Sequence, residues 1–169
     1  GAIAAPTAGL HFTEDLFRRM SGSGIKVATV TLHVGPGTFK PVTTDKIEDH
    51  QMGGERFTVS EEAVRAIQET KRTGGRIVAV GTTVVRTLET VMKEKGKIVP
   101  MSGESRLFIT PGFQFKVVDA LMTNFHLPRT TLLMLVSAFA GIESIRRAYE
   151  EAVKERYRFY SYGDAMLID

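Results

Sequence analysis

The central part of the chain alternates between strand-like and helix-like patterns, and this alternation limits the fold more than any other feature. Residues 57–59 are strand-like, and Ser60 then caps a helix that ends at Gly74-Gly75. Residues 76–80 form a short apolar run typical of a buried strand, followed by a second helix to about Lys93. Strands that alternate with helices usually pair in parallel, so we predict an α/β fold with mixed, largely parallel strands and flanking helices.

The remaining segments supply helices and strands on both sides of this unit. Thr13 is a helix N-cap, because Glu14 and Asp15 follow it and Gly22 lies just beyond the last turn. Thr130 caps a strongly apolar helix in the same way. The patterns predict further strands at 25–34, 107–109, 115–118, 121–123 and 157–161, helices at 131–140 and 142–156, and a loop at 95–103.

Composition narrows the class of protein. With 169 residues, 43% of them hydrophobic, the chain is long enough for a single domain with its own core. It has no cysteine, which excludes disulfides, thiolate metal sites and a cysteine nucleophile in this chain. The net charge of +3 permits an anionic partner such as nucleic acid. The longest apolar run is too short to span a bilayer and no secretory signal opens the chain, so we expect a cytoplasmic protein without a membrane partner.

Three of the four histidines stand beside predicted strands, in stretches that mix glycine, proline and threonine with apolar residues. They are His11, His33 and His126. Enzymes tend to place catalytic groups at strand ends on a rigid scaffold, and histidine acts as acid, base or ligand near neutral pH. The three positions therefore suggest one convergent polar site. For any one of them, the alternative is a hydrogen bond to a backbone carbonyl that only supports the fold.

Other segments offer further polar groups, each with a structural alternative. The turn Gly81-Thr82-Thr83 could bind an anion through free amides at a helix start, or a threonine could simply cap that helix. Arg86, one turn along, could face the same pocket or a phosphate. His50 and Glu55 form a second acid–base pair across two glycines, or the segment merely turns.

Two other kinds of site receive little support. The spacings between the four histidines match no compact ligand motif, so we expect no metal. Five basic residues between positions 146 and 158 could touch RNA phosphates, but glutamates are interleaved with them. A solvated helix face with ion pairs between successive turns is the favoured interpretation.

Five motifs in order resemble one family along the whole chain. They are APTAGLHFT at 5–13, LHVGPGTF at 32–39, AVGTTVVRTLE at 79–89, TNFHLP at 123–128 and YSYGDAM at 160–166. This combination closely resembles the S-adenosylmethionine:tRNA ribosyltransferase-isomerases of queuosine biosynthesis, from Gly1 to about Ile168. Five long motifs in one order are far more specific than any one of them alone.

The resemblance implies a transferase and isomerase that modifies tRNA. In this family the ribosyl part of S-adenosylmethionine moves to 7-aminomethyl-7-deazaguanine at the tRNA wobble position. Adenine and methionine leave, and the base becomes epoxyqueuosine. The resemblance therefore implies two partners, S-adenosylmethionine and tRNA carrying the deazaguanine amine. It implies no separate cofactor, because S-adenosylmethionine is consumed, and we expect a monomer.

The implied reaction suggests roles for the site residues. A base must remove a proton from the 5′ carbon beside the sulfonium, and adenine needs assistance to leave. We expect His11, His33 and His126 to be catalytic, one as the base and another assisting the loss of adenine. The expected substrate-binding residues are Thr7, Gly9, Gly35, Gly37, Thr38, His50, Glu55, Gly81, Thr82, Thr83, Arg86 and Asn124.

Members of the family are longer than this chain, with an N-terminal segment and an inserted β-barrel domain. We therefore expect residues 1–169 to form a single α/β domain, which corresponds to a partial barrel-like main domain. This domain would be the C-terminal part of a longer two-domain protein. The chain departs from the family at Gly53, where a histidine is common. Two other functions stay open: a non-catalytic RNA-binding module, and an unrelated acid–base enzyme such as a hydrolase, although no nucleophile-elbow motif supports the latter.

Overall fold

The structure is a computed structural model that describes residues 5–33, 35, 50 and 52–169. Within these residues, six strands form two separate sheets of three strands each. The strands are β1 (Thr31–His33), β2 (Glu55–Val59), β3 (Val78–Val80), β4 (Met101–Ser105), β5 (Ala120–Asn124) and β6 (Ala165–Ile168). The helices are a short 3-10 helix (Thr7–His11), α1 (Glu14–Gly22), α2 (Glu61–Arg72), α3 (Thr82–Lys95), α4 (Thr131–Ala140) and α5 (Ile142–Lys154).

Three α-helices begin where the sequence predicts, because a hydroxyl side chain satisfies one of their free amides. Thr13, Ser60 and Thr130 each accept a hydrogen bond of 3.2 Å from the backbone amide three residues ahead. The predicted starts of α1, α2 and α4 are thereby confirmed. The apolar helix α4 is ten residues long, and in the part of the chain that the structure describes no helix is long and apolar enough to cross a membrane.

The two sheets differ in strand direction. In the first, β2 lies between β1 and β4 and pairs antiparallel with both. In the second, β5 lies between β3 and β6, parallel to β3 and antiparallel to β6. The α/β class is confirmed, but the prediction of largely parallel strands is wrong, and the strands described close no barrel. The physical reason is that β2 and β3 flank α2 yet enter different sheets, so α2 connects two sheets instead of crossing over within one.

Two apolar segments that were expected to be strands are irregular. Residues 107–109 and 115–118 contain buried side chains but belong to no sheet. In the second segment, the buried carboxylate of Glu89 accepts hydrogen bonds from three successive backbone amides, those of Lys116, Val117 and Val118, at 2.9–3.2 Å. The Glu89 side chain accepts the hydrogen bonds that a neighbouring strand would otherwise accept. The apolar, β-branched composition of residues 115–118 therefore indicates burial and not strand pairing.

Other predicted strands are misplaced. Of the strand predicted at 25–34, the described residues 25–33 form only β1, and residues 25–29 are exposed and lie outside both sheets. The loop predicted at 95–103 contains the start of β4, whose Gly103 packs against the ring of Phe57 on β2. The strand predicted at 157–161 is a turn, and β6 follows it instead.

Helix α3 is the central element of the core, because it contacts β4 of the first sheet and β3 and β5 of the second. Its Val85, Leu88 and Val91 are buried and join one continuous cluster with Phe57 on β2 and Leu121 on β5. Packing on both sides holds α3 in place. The start of this helix is therefore a rigid point, and it lies at the functional site.

Candidate active site

A cavity of about 500 Å³ opens at the carboxyl ends of the two parallel strands, β3 and β5. This is the edge at which open α/β sheets bind ligands, and the volume lies in the range of small-molecule sites. Its walls come from residues within 5–9, 30–32, 80–84, 123–132 and 160–161. Among the predicted site residues, those that line it are Thr7, Gly9, Gly81, Thr82, Thr83, Asn124 and His126.

The parallel register brings two of the sequence motifs to one place. Val80 on β3 is paired with Met122 on β5, and the amide of Gly81 donates a 2.8 Å hydrogen bond to the carbonyl of Met122. Gly81 then turns the chain at φ 100°, a value that a residue with a side chain adopts only under strain. The chain passes directly from β3 into α3 at the cavity.

The start of α3 has no capping side chain. Its N-cap is Gly81, so the expected alternative of a threonine cap is wrong. Thr82 is buried and Thr83 half-buried, and both line the cavity with the first turn of the helix. Uncapped amides and the positive end of the helix dipole favour an anionic group there.

His126 is a buried wall of the cavity. Its Nε2 lies 3.0 Å from the hydroxyl of Thr123, in a hydrogen bond, and its backbone amide donates to the hydroxyl of Tyr149 at 2.8 Å. Burial lowers the pKa of His126 to about 4. The imidazole is therefore uncharged at neutral pH. Burial likewise raises the pKa of Tyr149 to about 12, so its hydroxyl stays protonated.

His11 stands at the edge of the same site, at the end of the 3-10 helix. It is exposed and does not itself line the cavity, but its Nε2 lies 3.5 Å from the side-chain amide nitrogen of Asn124, which does. That nitrogen also donates to the carbonyl of Gly163 at 3.3 Å. Asp164 lies near His11. Hydrogen bonds from Arg158 lower the pKa of Asp164, and the charge of His11 adds a smaller effect in the same direction. Asn124 thus joins His11 to the cavity wall.

The third histidine does not converge with the other two. His33 is an exposed residue at the end of β1, opposite Arg56 of β2, and it does not line the cavity, whereas Thr31 and Leu32 do. Gly35 is also not among the lining residues. The predicted residues Gly37 and Thr38 lie outside the described residues.

Neither His50 nor Glu55, the predicted acid–base pair, is among the residues that line the cavity. Glu55 is buried in an ion pair with Arg86, away from the cavity lining. Burial lowers the pKa of Arg86 to about 10, which leaves it charged at neutral pH. The ring of His50 lies against Phe108 at a centroid distance of 5.4 Å. These contacts give Arg86 and Glu55 the surroundings of a structural link between α3 and β2.

The structure brings other residues to the cavity that sequence reasoning did not select. Thr123 holds His126, Tyr149 supports it from α5, and Tyr160 and Ser161 form part of the wall. Thr123, Tyr160 and Ser161 lie inside two of the five motifs, so the motifs could have indicated them as site residues. Tyr149 carried none, because its helical spacing indicates a core residue.

Among the residues described, no group of three or more histidine, aspartate or glutamate side chains is placed to hold a metal ion. The site consists instead of one buried neutral imidazole, one exposed histidine, amide groups and hydroxyls, and it is suited to hydrogen bonding and proton transfer.

Comparison with known proteins is consistent with this geometry. The sequence profile of the queuosine biosynthesis protein family matches residues 1–168. The chain belongs to this family. The resemblance seen in the five motifs is therefore confirmed, and residues from all five motifs line the cavity of this queuosine biosynthesis protein.

Relatives within the family carry a common name. The chain is 57% identical to the S-adenosylmethionine:tRNA ribosyltransferase-isomerase of Pelobacter propionicus, over all of this chain and 49% of that protein. It is 56% identical to the protein of the same name from Cupriavidus pinatubonensis, over 99% of this chain and 48% of that protein. The chain spans about half the length of these curated relatives.

A crystal structure gives the same result for the fold. The S-adenosylmethionine tRNA ribosyltransferase of Thermotoga maritima superposes with a TM-score of 0.78 at 50% sequence identity. The superposition covers 96% of this chain and 51% of that one.

Proposed function

We propose that the protein containing this chain transfers and isomerises the ribosyl moiety of S-adenosylmethionine onto 7-aminomethyl-7-deazaguanine at the tRNA wobble position. Adenine and methionine would be released and epoxyqueuosine formed. The observation that carries the proposal is the 57% identity, over the whole chain, to a relative named for this activity. The cavity at the carboxyl ends of β3 and β5 supports it, because its volume suits a small-molecule substrate.

The two histidines near the cavity suit different roles. The low pKa of His126 makes it a weak base, so we assign it hydrogen bonding to the substrate, for example to the departing adenine. His11 is exposed at the cavity edge and reaches the wall through Asn124, and we assign it the removal of the proton from the 5′ carbon. His33 is not among the residues that line the cavity, so we assign it no step of the reaction.

The start of α3 suits the methionine end of S-adenosylmethionine. Its carboxylate would lie against the uncapped amides of Thr82 and Thr83, beside the Gly81 turn, where the helix dipole favours a negative charge. Thr7 and Gly9 of the opposite wall would close over the ligand. The contacts proposed earlier for Gly35, Gly37, Thr38, His50, Glu55 and Arg86 rest on the motifs alone.

Further properties follow from the proposed reaction. S-adenosylmethionine would be consumed as a substrate, with no separate cofactor and no metal. The protein would act as a cytoplasmic monomer on tRNA. The chain would be one α/β domain of a longer two-domain protein, and any barrel-like arrangement would have to involve residues beyond the two sheets described.

Adenine release by the complete protein tests the proposal. We expect adenine to appear from S-adenosylmethionine only when tRNA carrying the deazaguanine amine is present. His11→Asn should lower the rate by roughly 10²- to 10⁴-fold with little change in S-adenosylmethionine binding, as expected for loss of a general base. His33→Asn is the matched control and should leave the rate unchanged.

Three outcomes would count against these assignments. No adenine release from a folded complete protein would refute the transferase and favour an RNA-binding module. Full activity in His11→Asn would refute its role as the base. Loss of activity in His33→Asn, in a protein that still folds, would show that the first sheet contributes to the reaction.

A further inference from the structure

One edge of the cavity carries exposed aromatic and basic side chains that the proposed chemistry does not use. Two loops form this edge, residues 125–130 after β5 and residues 155–164 before β6. We name the exposed residues Leu127, Arg129, Arg156, Tyr160 and Tyr162 of these loops the tyrosine rim. Tyr162 is 84% exposed, and Leu127 and Tyr160 are more than 40% exposed. Leu127 and Tyr160 also line the cavity.

The rim is attached to the cavity wall by its own contacts. The amide of Tyr160 donates a 2.8 Å hydrogen bond to the carbonyl of Phe125, and the amide of Phe125 donates to Asp164 at 3.3 Å. The Phe125 ring also packs against Tyr157 and Phe159 at centroid distances of 5.7 and 5.2 Å. The two loops therefore form one unit next to the cavity.

The turn that presents Tyr162 is rigid. The backbone amide of Arg158 donates to the carboxylate of Asp164 at 2.7 Å, and the amide of Asp164 donates to the carbonyl of Arg158 at 2.8 Å. An ion pair of 2.8 Å between the two side chains closes the turn further. Gly163 is required inside it, since a Cβ there would lie 2.4 Å from the carbonyl oxygen of Arg158. The turn therefore holds the ring of Tyr162 in solvent, where a ligand at the cavity edge can reach it.

The backbone of the rim is strained. Arg129, Arg156 and Tyr160 have φ values of 57°, 59° and 75°, and they are the residues other than glycine with positive φ in the part of the chain that the structure describes. The φ of Arg156 belongs to the end of α5, because the amides of Arg156 and Tyr157 donate to the carbonyls of Val153 and Ala152 as is usual at a helix end. Arg129 and Tyr160 have no such explanation, and positive φ values at residues other than glycine concentrate at functional sites. All three fall in the two rim loops.

The chemistry of the rim matches unpaired nucleotides. Exposed tyrosines provide flat surfaces on which bases stack, and arginines attract phosphates. Arg129 and Arg156 are exposed and form no ion pair with any described residue, in contrast to Arg146 on α5. Arginines without carboxylate partners beside exposed tyrosines match a ligand that carries both phosphates and flat bases.

We propose that the tyrosine rim binds single-stranded RNA, with Tyr162 stacking on an unpaired base next to the nucleotide that enters the cavity. This inference rests on the proposed function, because that function brings a wobble nucleotide to the cavity. An anticodon loop supplies unpaired bases on both sides of that nucleotide. Arg129 and Arg156 would contact the phosphates of these unpaired nucleotides.

Binding of an anticodon stem-loop RNA to the complete protein tests the inference. The RNA carries 7-aminomethyl-7-deazaguanine at the wobble position, with 2-aminopurine at a neighbouring unpaired position to report stacking by fluorescence. Tyr162→Leu should raise the Kd for this RNA roughly 5- to 100-fold and abolish the fluorescence change, as expected for loss of one stacked base. Tyr162→Phe keeps the ring and should stay within about twofold of the wild type.

Controls separate this inference from the proposed function. The Kd for S-adenosylmethionine should not change in either variant, and Val153→Ala, at an exposed position of α5, should leave RNA binding unchanged. Wild-type affinity in Tyr162→Leu would overturn the inference alone. A fall in melting temperature without loss of RNA affinity would do so as well, and would assign Tyr162 to a contact with the rest of the polypeptide. A wild-type protein that does not bind this RNA would refute the proposed function itself.

Discussion

The burial of His126 links the stability of the cavity wall to pH. In the unfolded chain a histidine takes up a proton near pH 6.5, whereas in the folded protein His126 does so only near pH 4, because burial disfavours its charged form. Between these values the unfolded state binds more protons. As the pH falls through this window, folding stability is therefore lost, and at neutral pH the contribution is fully present.

Urea unfolding as a function of pH measures this effect. We expect the wild type to lose about 3 kcal/mol between pH 7 and pH 4 through this residue, in addition to the effects of other groups. His126→Asn should be less stable at pH 7 but should show a shallower dependence on pH. His33→Asn, at an exposed position, should keep the wild-type slope. Equal slopes in all three proteins would show that His126 is accessible to water.

At the residue scale, the sequence predicted which side chains lie at the site more accurately than it predicted their burial and contacts. His11, Asn124 and His126 all lie at the cavity, as the motifs suggested. Their difference in burial arises from contacts distant in sequence, such as that between His126 and Tyr149, and these could not be read from local patterns. The sequence context of His33 resembles that of His11 and His126, because His33 also stands at a predicted strand end. The sequence does not show to which sheet that strand belongs.

At the scale of elements, α3 links the two sheets through a buried charge pair. Arg86 on α3 and Glu55 at the start of β2 are both at most 3% exposed. Removing one member of a buried pair leaves the other charge without compensation, which commonly costs about 3–5 kcal/mol, whereas an apolar replacement of both is often tolerated. The pair therefore holds α3 against the first sheet, and this link depends strongly on both partners.

Single and double replacements distinguish a structural pair from a substrate-binding pair. Arg86→Met should lower the free energy of unfolding by about 3–5 kcal/mol, and Glu55→Leu combined with Arg86→Met should recover most of that loss. If the pair is structural, the KM for S-adenosylmethionine of the folded double variant stays close to the wild-type value. A large rise in KM, without loss of stability, would instead place Arg86 in contact with the substrate.

The elements themselves were predictable where local chemistry decides them. Helix starts at Thr13, Ser60 and Thr130 follow from a side chain and an amide three residues apart, which is information contained in a few positions. Strand pairing is a long-range property. The segment 115–118 has the composition of a strand, but Glu89 occupies its amides, and that contact spans 27 residues or more.

At the scale of the whole molecule, the arginines differ in whether a carboxylate is paired with them. On α5, Arg146 pairs with Glu143 and Glu150 at 2.8 and 2.6 Å, as the interleaved charges predicted. Arg129 in the tyrosine rim has no such partner among the residues described. A positive net charge attracts RNA in general, but only an arginine free of carboxylates releases counterions fully when it meets a phosphate.

The salt dependence of tRNA binding tests this distinction. Arg129→Gln should weaken binding and reduce the slope of log K against log salt concentration by about one. Arg146→Gln is the matched control, and both affinity and slope should stay at the wild-type values. The reverse pattern would move the RNA surface to α5.

The walls of the cavity come from residues near both ends of the chain, from 5–9 to 160–161, and from strands β3 and β5 whose paired residues are 42 positions apart. Such a site has a high contact order, and its closure must wait for the slowest loops to form. A polypeptide still emerging from the ribosome cannot hold the ligand until the segment after α5 is released. Ligand protection against proteolysis would thus mark the end of synthesis and folding of this region, and it would serve as an assay for truncated or misfolded chains.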